Sequence, residues 1–412
     1  MQHQQIFQHL KLRGSWGELG NSNIPADASV YTILSNIPYF FNSGTTASGS
    51  TTGSIVPSPA KNLNLKWEIT KESDIGLEYA VLGGRLSGEL DVYDKKVNNA
   101  LIYVYVQGTF GSQANPNSTI TPGYVLNNAA TIDNKGLEFS ARWHDNINKN
   151  FSYFLGGNVS FNRNKVLSLS GGVPYFDGNI NGYFTTETKA GYPIGAFFMR
   201  QVIGIFQNQS QINSYTDKNG NLLQPDAQPG DLQYKYNTST GQLDTAFMGS
   251  YQPKAYVGIS GGINYKAFDF SIDIYSNIGN QVYNGKQQAR VVATDNIEAS
   301  VATSFWTQQN KSTTQPRANI GNQPASSYYL SSGTFARINN VTLGYTIPQR
   351  VLDKQKVITS LRVFVNAQNP LTLKKYKGFS SELPGSSVTD AGIELGTYPT
   401  TRTFALGVNL GL

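Results

Sequence analysis

Histidine, serine and carboxylate side chains could carry out chemistry in this sequence, but few of them have the spacing that chemistry needs. The three histidines, His3, His9 and His144, lie apart, and none has a second ligand at a metal-binding spacing. The chain has no cysteine, which excludes a thiolate metal site, a cysteine nucleophile and a disulfide framework. We expect solvated or lumenal histidines and predict neither a metal site nor a cofactor.

One serine stands in a hydrolase-like motif, because Gly258-Ile259-Ser260-Gly261-Gly262 matches the G-x-S-x-G pattern. A nucleophile of that kind needs a strand, a sharp turn and a helix, with a histidine further along the chain. Here alternating apolar residues continue as far as Tyr265, and no histidine follows. We interpret the match as a chance feature of a glycine-rich strand and predict no catalytic residue.

Two carboxylate pairs, Glu89/Asp91 and Asp269/Asp273, each share one face of a predicted strand. Glycosidases also use paired carboxylates, but the spacing here indicates neither a retaining nor an inverting mechanism. A polar wall is the simpler interpretation.

Aromatic residues in the long loops are the most interesting binding candidates. Their ring faces, together with neighbouring Asn, Ser and Asp groups, suit an amphipathic ligand such as a sugar ring. The alternative is that they pack the loops against one another or contact a partner protein. The candidates for substrate contact are Tyr39, Phe40, Tyr175, Tyr183, Trp306 and Tyr328.

The composition favours an all-β protein. Of the 412 residues, 39% are hydrophobic and only 14% are charged, which excludes a highly charged disordered chain. Gly (41), Tyr (24) and Phe (21) accompany many Asn, Ser and Thr residues, a mixture typical of strands and polar turns. The formal charge of +6 comes from scattered basic residues, so we predict no nucleic-acid partner.

Apolar and polar residues alternate along segments that are long for a soluble protein. Leu86, Gly88, Leu90 and Val92 point one way, for example, and the residues between them point the other. We count about eleven such strands, each near or above the roughly 9–11 residues that a tilted strand needs to cross a bilayer. The last strand carries the alternating residues Phe404, Leu406, Val408, Leu410 and Leu412, which we interpret as a barrel-insertion strand.

The connections alternate between short and long, as they do in outer-membrane barrels with short periplasmic turns and long extracellular loops. Aromatic residues near strand ends are predicted to form interfacial girdles. These girdle candidates are Tyr79, Trp143, Phe151, Tyr265, Phe268, Tyr345, Tyr376 and Phe379.

About eleven strands are not expected to close a barrel, because bacterial single-chain barrels use an even number. An open edge in lipid would leave backbone groups without hydrogen bonds, at a cost of several kcal/mol each. The first residues, Met1-Gln2-His3-Gln4-Gln5, show no signal-peptide pattern. We therefore expect residues 1–412 to be the C-terminal part of a transmembrane antiparallel β-barrel whose first strands lie upstream.

Ordered sequence phrases resemble the C-terminal barrel region of SusC/RagA-type TonB-dependent transporters over nearly the full length. The phrases that carry the resemblance are Leu65-Lys66-Trp67-Glu68 with Gly76-Leu77-Glu78, Asn134-Lys135-Gly136-Leu137-Glu138, Pro229-Gly230-Asp231, Phe305-Trp306-Thr307, Pro316-Arg317, Phe335-Ala336-Arg337-Ile338-Asn339-Asn340, Gln368-Asn369-Pro370-Leu371 and Tyr398-Pro399.

The resemblance implies a barrel of 22 strands with an N-terminal plug, in the outer membrane of a Gram-negative bacterium. It also implies import of oligosaccharides or peptides, driven through TonB by the missing N-terminal region and assisted by a SusD-like surface lipoprotein. Two other functions stay open: a passive porin or adhesin-type barrel, and a secreted carbohydrate-binding β-protein.

Three departures from the family pattern bear on these expectations. Many relatives carry an acidic, calcium-type loop after the Pro-Gly-Asp phrase, but the stretch from Tyr236 to Asp244 retains only the glycine and the last aspartate, so we predict no calcium there. Ser380-Ser381-Glu382 replaces an acidic-proline turn. The final residue is Leu412, where such barrels usually end in Phe.

Overall fold

The computed structural model describes residues 6–22, 24, 33–40, 50–57, 62–105, 124–172, 174–290, 296–297, 299–318, 323–353, 357–385 and 387–412. Its main feature is an antiparallel sheet of ten strands that follow one another in chain order, which we call the wall. Its strands are β1 (Phe7–Asn21), β2 (Glu68–Val81), β3 (Leu86–Tyr105), β4 (Tyr124–Asn148), β5 (Phe151–Leu169), β6 (Ala255–Tyr265), β7 (Phe268–Ile278), β8 (Phe335–Thr346), β9 (Ser360–Lys374) and β10 (Thr403–Gly411).

The wall confirms the predicted alternation, because the register brings the apolar residues of neighbouring strands onto one face. Leu12 pairs with Leu77, Leu77 with Leu90, and Leu90 with Phe139. The row continues across the next strands to Val159 and Val257. We call this apolar side the outer face and the polar side, which carries Asp91 and Asp269, the inner face.

The two ends of the wall differ as predicted. Tight turns at 82–85, 149–150 and 266–267, and the longer connection 347–359 that contains the helix Gln349–Leu352, join strands at one end, the short-turn end. Longer connections leave the other, the long-loop end. A girdle of aromatic residues marks the short-turn end, where the Trp143 indole nitrogen donates to the Tyr153 hydroxyl at 3.0 Å and the rings of Phe268 and Tyr345 lie 4.7 Å apart.

Two of the predicted girdle residues are not in the girdle. Tyr376 is buried, 2% exposed, and packs with Val282 and Leu383 in the connection after β9. Phe379 lies in the same connection, with the ammonium group of Lys286 4.2 Å from its ring centre. Both belong to loop packing, because the strand that precedes them ends at Lys374.

Glycines on the inner face make room for aromatic rings from the neighbouring strand. A Cβ atom at Gly136 would lie 2.3 Å from the Tyr93 ring, and one at Gly262 would lie 2.3 Å from the Phe154 ring. Such contacts fix the register between strands, because any larger side chain would displace the ring. They explain part of the high glycine content of the strands.

The long connections contain short elements of their own. Paired short strands are Ile33–Phe40 with Ser50–Pro57, Val202–Ile205 with Leu232–Tyr234, Tyr236–Asn237 with Gln242–Leu243, and Gln281–Tyr283 with Leu330–Ser332. A four-stranded sheet is formed by Tyr175–Asp177, Thr186–Thr188, Ala196–Arg200 and Thr245–Gly249. The helices are Gln209–Asn213, Gly285–Ala289, Ala299–Ala302 and Gln349–Leu352, with 3-10 turns at Ser170–Gly172 and Ser327–Tyr329.

Three connections pack together into one structure, which we call the loop body: 170–254 after β5, 279–334 after β7 and 375–402 after β9. Its core contains Phe197 from the first, Tyr283 and Tyr329 from the second, and Ile393 from the third. Within the described residues, no helix is long and apolar enough to cross a membrane.

Candidate functional site

An ion pair between Asp231 and Arg317 joins two connections of the loop body. The Arg317 guanidinium donates to both carboxylate oxygens, at 2.5 and 3.3 Å, and the Arg317 amide donates to the Gly230 carbonyl at 2.8 Å. Gly230 has a φ of +92°, and a Cβ atom there would lie 2.5 Å from the Trp306 ring. Three separate phrases of the sequence therefore meet at one lock, which we call the Asp231 lock.

A buried pair, Lys286 and Glu394, joins the second and third connections. Glu394 is fully buried, and its carboxylate lies 3.8 Å from the Lys286 ammonium group. The Tyr376 hydroxyl donates to the same carboxylate, and the Phe379 amide lies within 3.3 Å of both of its oxygens. A buried charge needs such compensation, so these contacts hold the two connections in one arrangement.

The wall itself holds the start of the third connection through Arg337 of β8. Its guanidinium donates to both oxygens of Glu382, at 2.5 and 3.2 Å. Glu382 stands in the Ser380-Ser381-Glu382 segment that departs from the family pattern, so the segment still presents a carboxylate to the wall. The loop body is thus anchored to the sheet as well as cross-linked internally.

A cavity of ≈ 470 Å³ lies between the first and second connections. Tyrosine rings and prolines form its apolar lining, and Arg200, Arg317, Asp226 and Asp231 add charged groups. The tyrosines that line it are Tyr183, Tyr234, Tyr236 and Tyr329. Its volume and mixed lining are those of a site for a small amphipathic ligand.

Burial keeps two of these tyrosines in the neutral form. Burial raises the pKa of Tyr234 above the ordinary value of a phenol, while the nearby positive charge of Arg200 acts in the opposite direction. Burial also raises the pKa of Tyr329. Neutral phenols can donate and accept hydrogen bonds, so the cavity can bind hydroxyl and amide groups without a change of charge.

Two arginines, Arg200 and Arg317, line this cavity. Among the described residues, no carboxylate forms an ion pair with Arg200. The Arg200 guanidinium lies 5.4 Å from the centre of the Tyr234 ring, a cation–π arrangement. Arg317, by contrast, is committed to Asp231. Arg200 therefore keeps donors available for an acceptor group of a ligand.

The predicted contact residues lie in different environments. Tyr183 lines the cavity. Trp306 is 8% exposed and donates to Gln207 at 3.1 Å, so it packs within the loop body. Tyr328 donates to Gln315, and burial raises its pKa to about 12. Tyr175 packs against the core formed by the upper parts of β3, β4 and β5 and donates to the Ser170 carbonyl at 3.1 Å.

The side chains of Tyr39 and Phe40 lie outside the described residues. Tyr234, Tyr236 and Arg200 were not among the predicted contact residues, although they line the cavity. Tyr234 and Tyr236 follow the Pro229-Gly230-Asp231 phrase closely, which is the one sequence signal that could have found them.

In each carboxylate pair of the wall, one member is held by an arginine. Arg13 donates two hydrogen bonds to one oxygen of Asp91, at 2.5 and 3.2 Å, and Arg362 donates to both oxygens of Asp269, at 2.5 and 2.9 Å. Ser260 lies within the extended strand β6, so the strand, turn and helix of a nucleophile motif are not formed there. The stretch from Tyr236 to Asp244 contains a short hairpin, in which the Asn237 side chain caps the turn.

The terminal strand β10 pairs with β9 along its whole length and presents its alternating apolar residues on the outer face. Phe404, Leu406, Val408, Leu410 and Leu412 are all more than half exposed. A role of this strand in insertion stays a prediction.

Comparison with known proteins was consistent with this architecture. Residues 5–370 match the model of the family described as TonB dependent receptor-like, beta-barrel. The TonB-dependent receptor SusC of Bacteroides thetaiotaomicron is 28% identical over 98% of the chain and 38% of its own length. The TonB-dependent receptor P3 of Formosa agariphila is 26% identical over 97% of the chain and 39% of its length.

Among solved structures, the RagAB peptide transporter matches with a TM-score of 0.73 and 23% identity, over 99% of this chain and 41% of that one. The open-open state of the RagAB peptide importer gives a TM-score of 0.70 at 22% identity, over 100% of this chain and 41% of that one. The chain therefore spans about 40% of the length of the relatives that it matches.

Proposed function

This chain belongs to the TonB-dependent receptor-like β-barrel family of the bacterial outer membrane, and we propose that it is the C-terminal part of an importer subunit. The proposed substrates are oligosaccharides or peptides. The observation that carries the proposal is the loop body, which holds a tyrosine-lined cavity at the long-loop end of the wall. A passive channel does not need such a cross-linked binding structure above its wall.

Both proposed substrate classes suit the cavity. Sugar rings stack on aromatic faces and offer many hydroxyl groups, while peptides offer amides and a terminal carboxylate. Arg200 can bind a carboxylate, which favours peptides, and RagAB is described as a peptide transporter. The oligosaccharide alternative rests on the sequence resemblance to SusC/RagA-type transporters.

The full-length protein would act with other components. We propose that its N-terminal region supplies the plug and the contact with TonB, and that a SusD-like surface lipoprotein lies against the long-loop end. Both proposals rest on the family and on the length of the relatives.

Binding and uptake can be tested separately in the full-length protein with a pool of labelled glycan oligosaccharides and a pool of labelled tryptic peptides. Replacing Tyr183 and Tyr236 together by Ala should weaken binding of one pool roughly tenfold or more, because both rings line the cavity. Tyr398→Ala is the matched control, because Tyr398 is 80% exposed and does not line it. Equal effects of the two changes would contradict the site.

The passive-channel alternative makes the opposite prediction about energy coupling. In a strain without TonB, an importer should still bind its substrate but should no longer accumulate it. Unchanged accumulation in that strain would favour a porin-type function. The result of the binding experiment would still hold, because it does not depend on TonB.

A further inference from the structure

Charged residues occupy one sector of the outer face at the long-loop end. Two adjacent rows run across β1 to β5, where the register places every member on the same face as the apolar residues. The upper row is Glu18, Lys71, Lys96, Asp133 and Lys165, and the lower row contains Asp94, Lys135 and Arg163. We call these eight residues the charged plate.

The apolar band begins directly beneath the charged plate. The next row in register is Ile75, Val92, Leu137 and Phe161. In an outer-membrane barrel the apolar band faces the lipid chains, and the long loops are extracellular. The plate therefore lies at the depth of the lipid headgroups of the outer leaflet.

The ion pairs of the plate leave an excess of positive charge. Lys71 pairs with Glu18 at 2.6 Å, and Lys135 lies 2.8 Å from Asp94 and 3.5 Å from Asp133. All three carboxylates of the plate are thereby engaged. Among the described residues, no ion pair or side-chain hydrogen bond engages the other three cations, which are Lys96, Arg163 and Lys165.

The rest of the outer face is different. At the long-loop end of β9 and β10 the outward residues are the apolar Leu371, Leu373 and Phe404. The short-turn end carries the aromatic girdle. Three cations outside ion pairs, grouped in one sector and at one depth, are thus a local feature and not a general property of the wall.

A crevice of ≈ 480 Å³ adjoins the plate through Arg163. Tyr192, Phe247 and Met248 supply apolar lining, and Lys254 adds another cation. The rings of Tyr192 and Phe247 stack with their centres 3.7 Å apart. The lining also includes Asn162 and Asn164, which have inner-face register positions, so the crevice is not confined to the outer face.

We propose that the charged plate binds the phosphate-bearing headgroup of an outer-leaflet lipid, with Lys96, Arg163 and Lys165 as its cations. Arginine can hold two phosphate oxygens at once, and lysine acts as a point charge. The acyl chains of such a lipid would lie along the apolar band beneath. The inference rests on the outer-membrane location of the family and is independent of the import proposal.

The test uses the full-length protein, purified from outer membranes in detergent and freed of bound lipid. Binding of phosphorylated lipid A is measured by native mass spectrometry beside its dephosphorylated form. Replacing Lys96, Arg163 and Lys165 together by Gln should weaken binding of the phosphorylated form at least tenfold, because each cation at a membrane surface adds to the attraction of an anionic lipid. Higher salt should weaken wild-type binding.

The control removes the same charges at the other end of the wall, through Lys149→Gln, Lys266→Gln and Arg350→Gln. It should leave binding within about twofold, and both triple variants should retain the heat-modifiable gel mobility of a folded barrel. Equal binding of the two lipid forms, or equal losses in the two variants, would overturn the proposal. Displacement of the lipid by millimolar inorganic phosphate would also overturn it, because the site would then bind free phosphate.

Discussion

At Asp231 and Arg317, residues 86 positions apart in sequence form the contact that orders the loop body. The pair is partly shielded, with side-chain exposures of 16% and 29%. Asp231 also accepts a hydrogen bond from the Gln228 amide at 2.8 Å, so its loss would leave three N–H donors without this partner. A shielded charge that loses its partner costs more than an exposed one.

Asp231→Ala should therefore destabilise the Asp231 lock by about 1–3 kcal/mol. The matched control is Asp244→Ala, because Asp244 forms a more exposed pair with Lys235 at 2.9 Å and should lose only about 0–1 kcal/mol. The measurement is hydrogen exchange at the Arg317 amide, which donates to the Gly230 carbonyl. Exchange there should become at least roughly fivefold faster in the first variant; equal acceleration in both would show that shielding does not matter.

The sequence identified the members of this lock but not their contact. The family resemblance drew attention to three separate motifs, which contain Pro229-Gly230-Asp231, Trp306 and Arg317. No local sequence pattern shows that residues so far apart make contact. Tyr183 was predicted as a binding residue and does line the cavity, while Tyr234, Tyr236 and Arg200 were missed because the cavity forms only when two connections pack together.

At the scale of elements, the alternation of side chains was sufficient to predict the strands and their faces. The period of two is a local property of the backbone, so it is visible in the sequence. The girdle predictions for Tyr376 and Phe379 were wrong because each was judged by its distance from a strand end. Both residues lie beyond β9, and the packing of the loop body decides their positions.

The two faces can be tested by placing the same charge on each at one depth. Leu90 of β3 lies on the outer face, opposite Phe139 of β4. The residue next to Phe139 in β4 is Ser140, which lies on the inner face and pairs with Glu89. Leu90→Arg should cost about 2–4 kcal/mol near the middle of the bilayer. Ser140→Arg should cost much less, because it faces the polar side near a carboxylate.

The measurement for this pair is urea-induced unfolding of the full-length protein in lipid vesicles. Both variants introduce the same arginine side chain and the same positive charge at one depth, so they compare the two faces of the wall. Similar losses of unfolding free energy in the two variants would disprove the assignment of the faces.

At the scale of the whole molecule, the structure changes the argument for an incomplete barrel. From the sequence we expected about eleven strands and argued that an odd number would not close a barrel. The wall has ten strands in the described residues, an even number, so that argument does not hold. What supports an incomplete barrel is that each edge strand, β1 and β10, has a hydrogen-bonded neighbour on one side only within the described residues.

Within the described residues, no pairing joins β1 to β10, and the matched relatives are about two and a half times as long as the chain. We therefore propose that both edges pair with strands encoded upstream in a larger barrel. Backbone groups at an open edge in lipid cost several kcal/mol each, so the ten strands alone should associate through their edges. The full-length protein should instead be heat-modifiable without such association.

The comparison requires residues 1–412 and the full-length protein, refolded in the same detergent and examined by gel mobility with and without heating and by light scattering. The shorter chain should form aggregates or edge-paired oligomers, because no partner strand is present for β1 or β10. A stable, heat-modifiable monomer of residues 1–412 would mean that β1 and β10 can pair with each other. That result would contradict the proposal that β1 and β10 need partner strands from a larger barrel. It would not affect the assignment of the outer and inner faces of the wall.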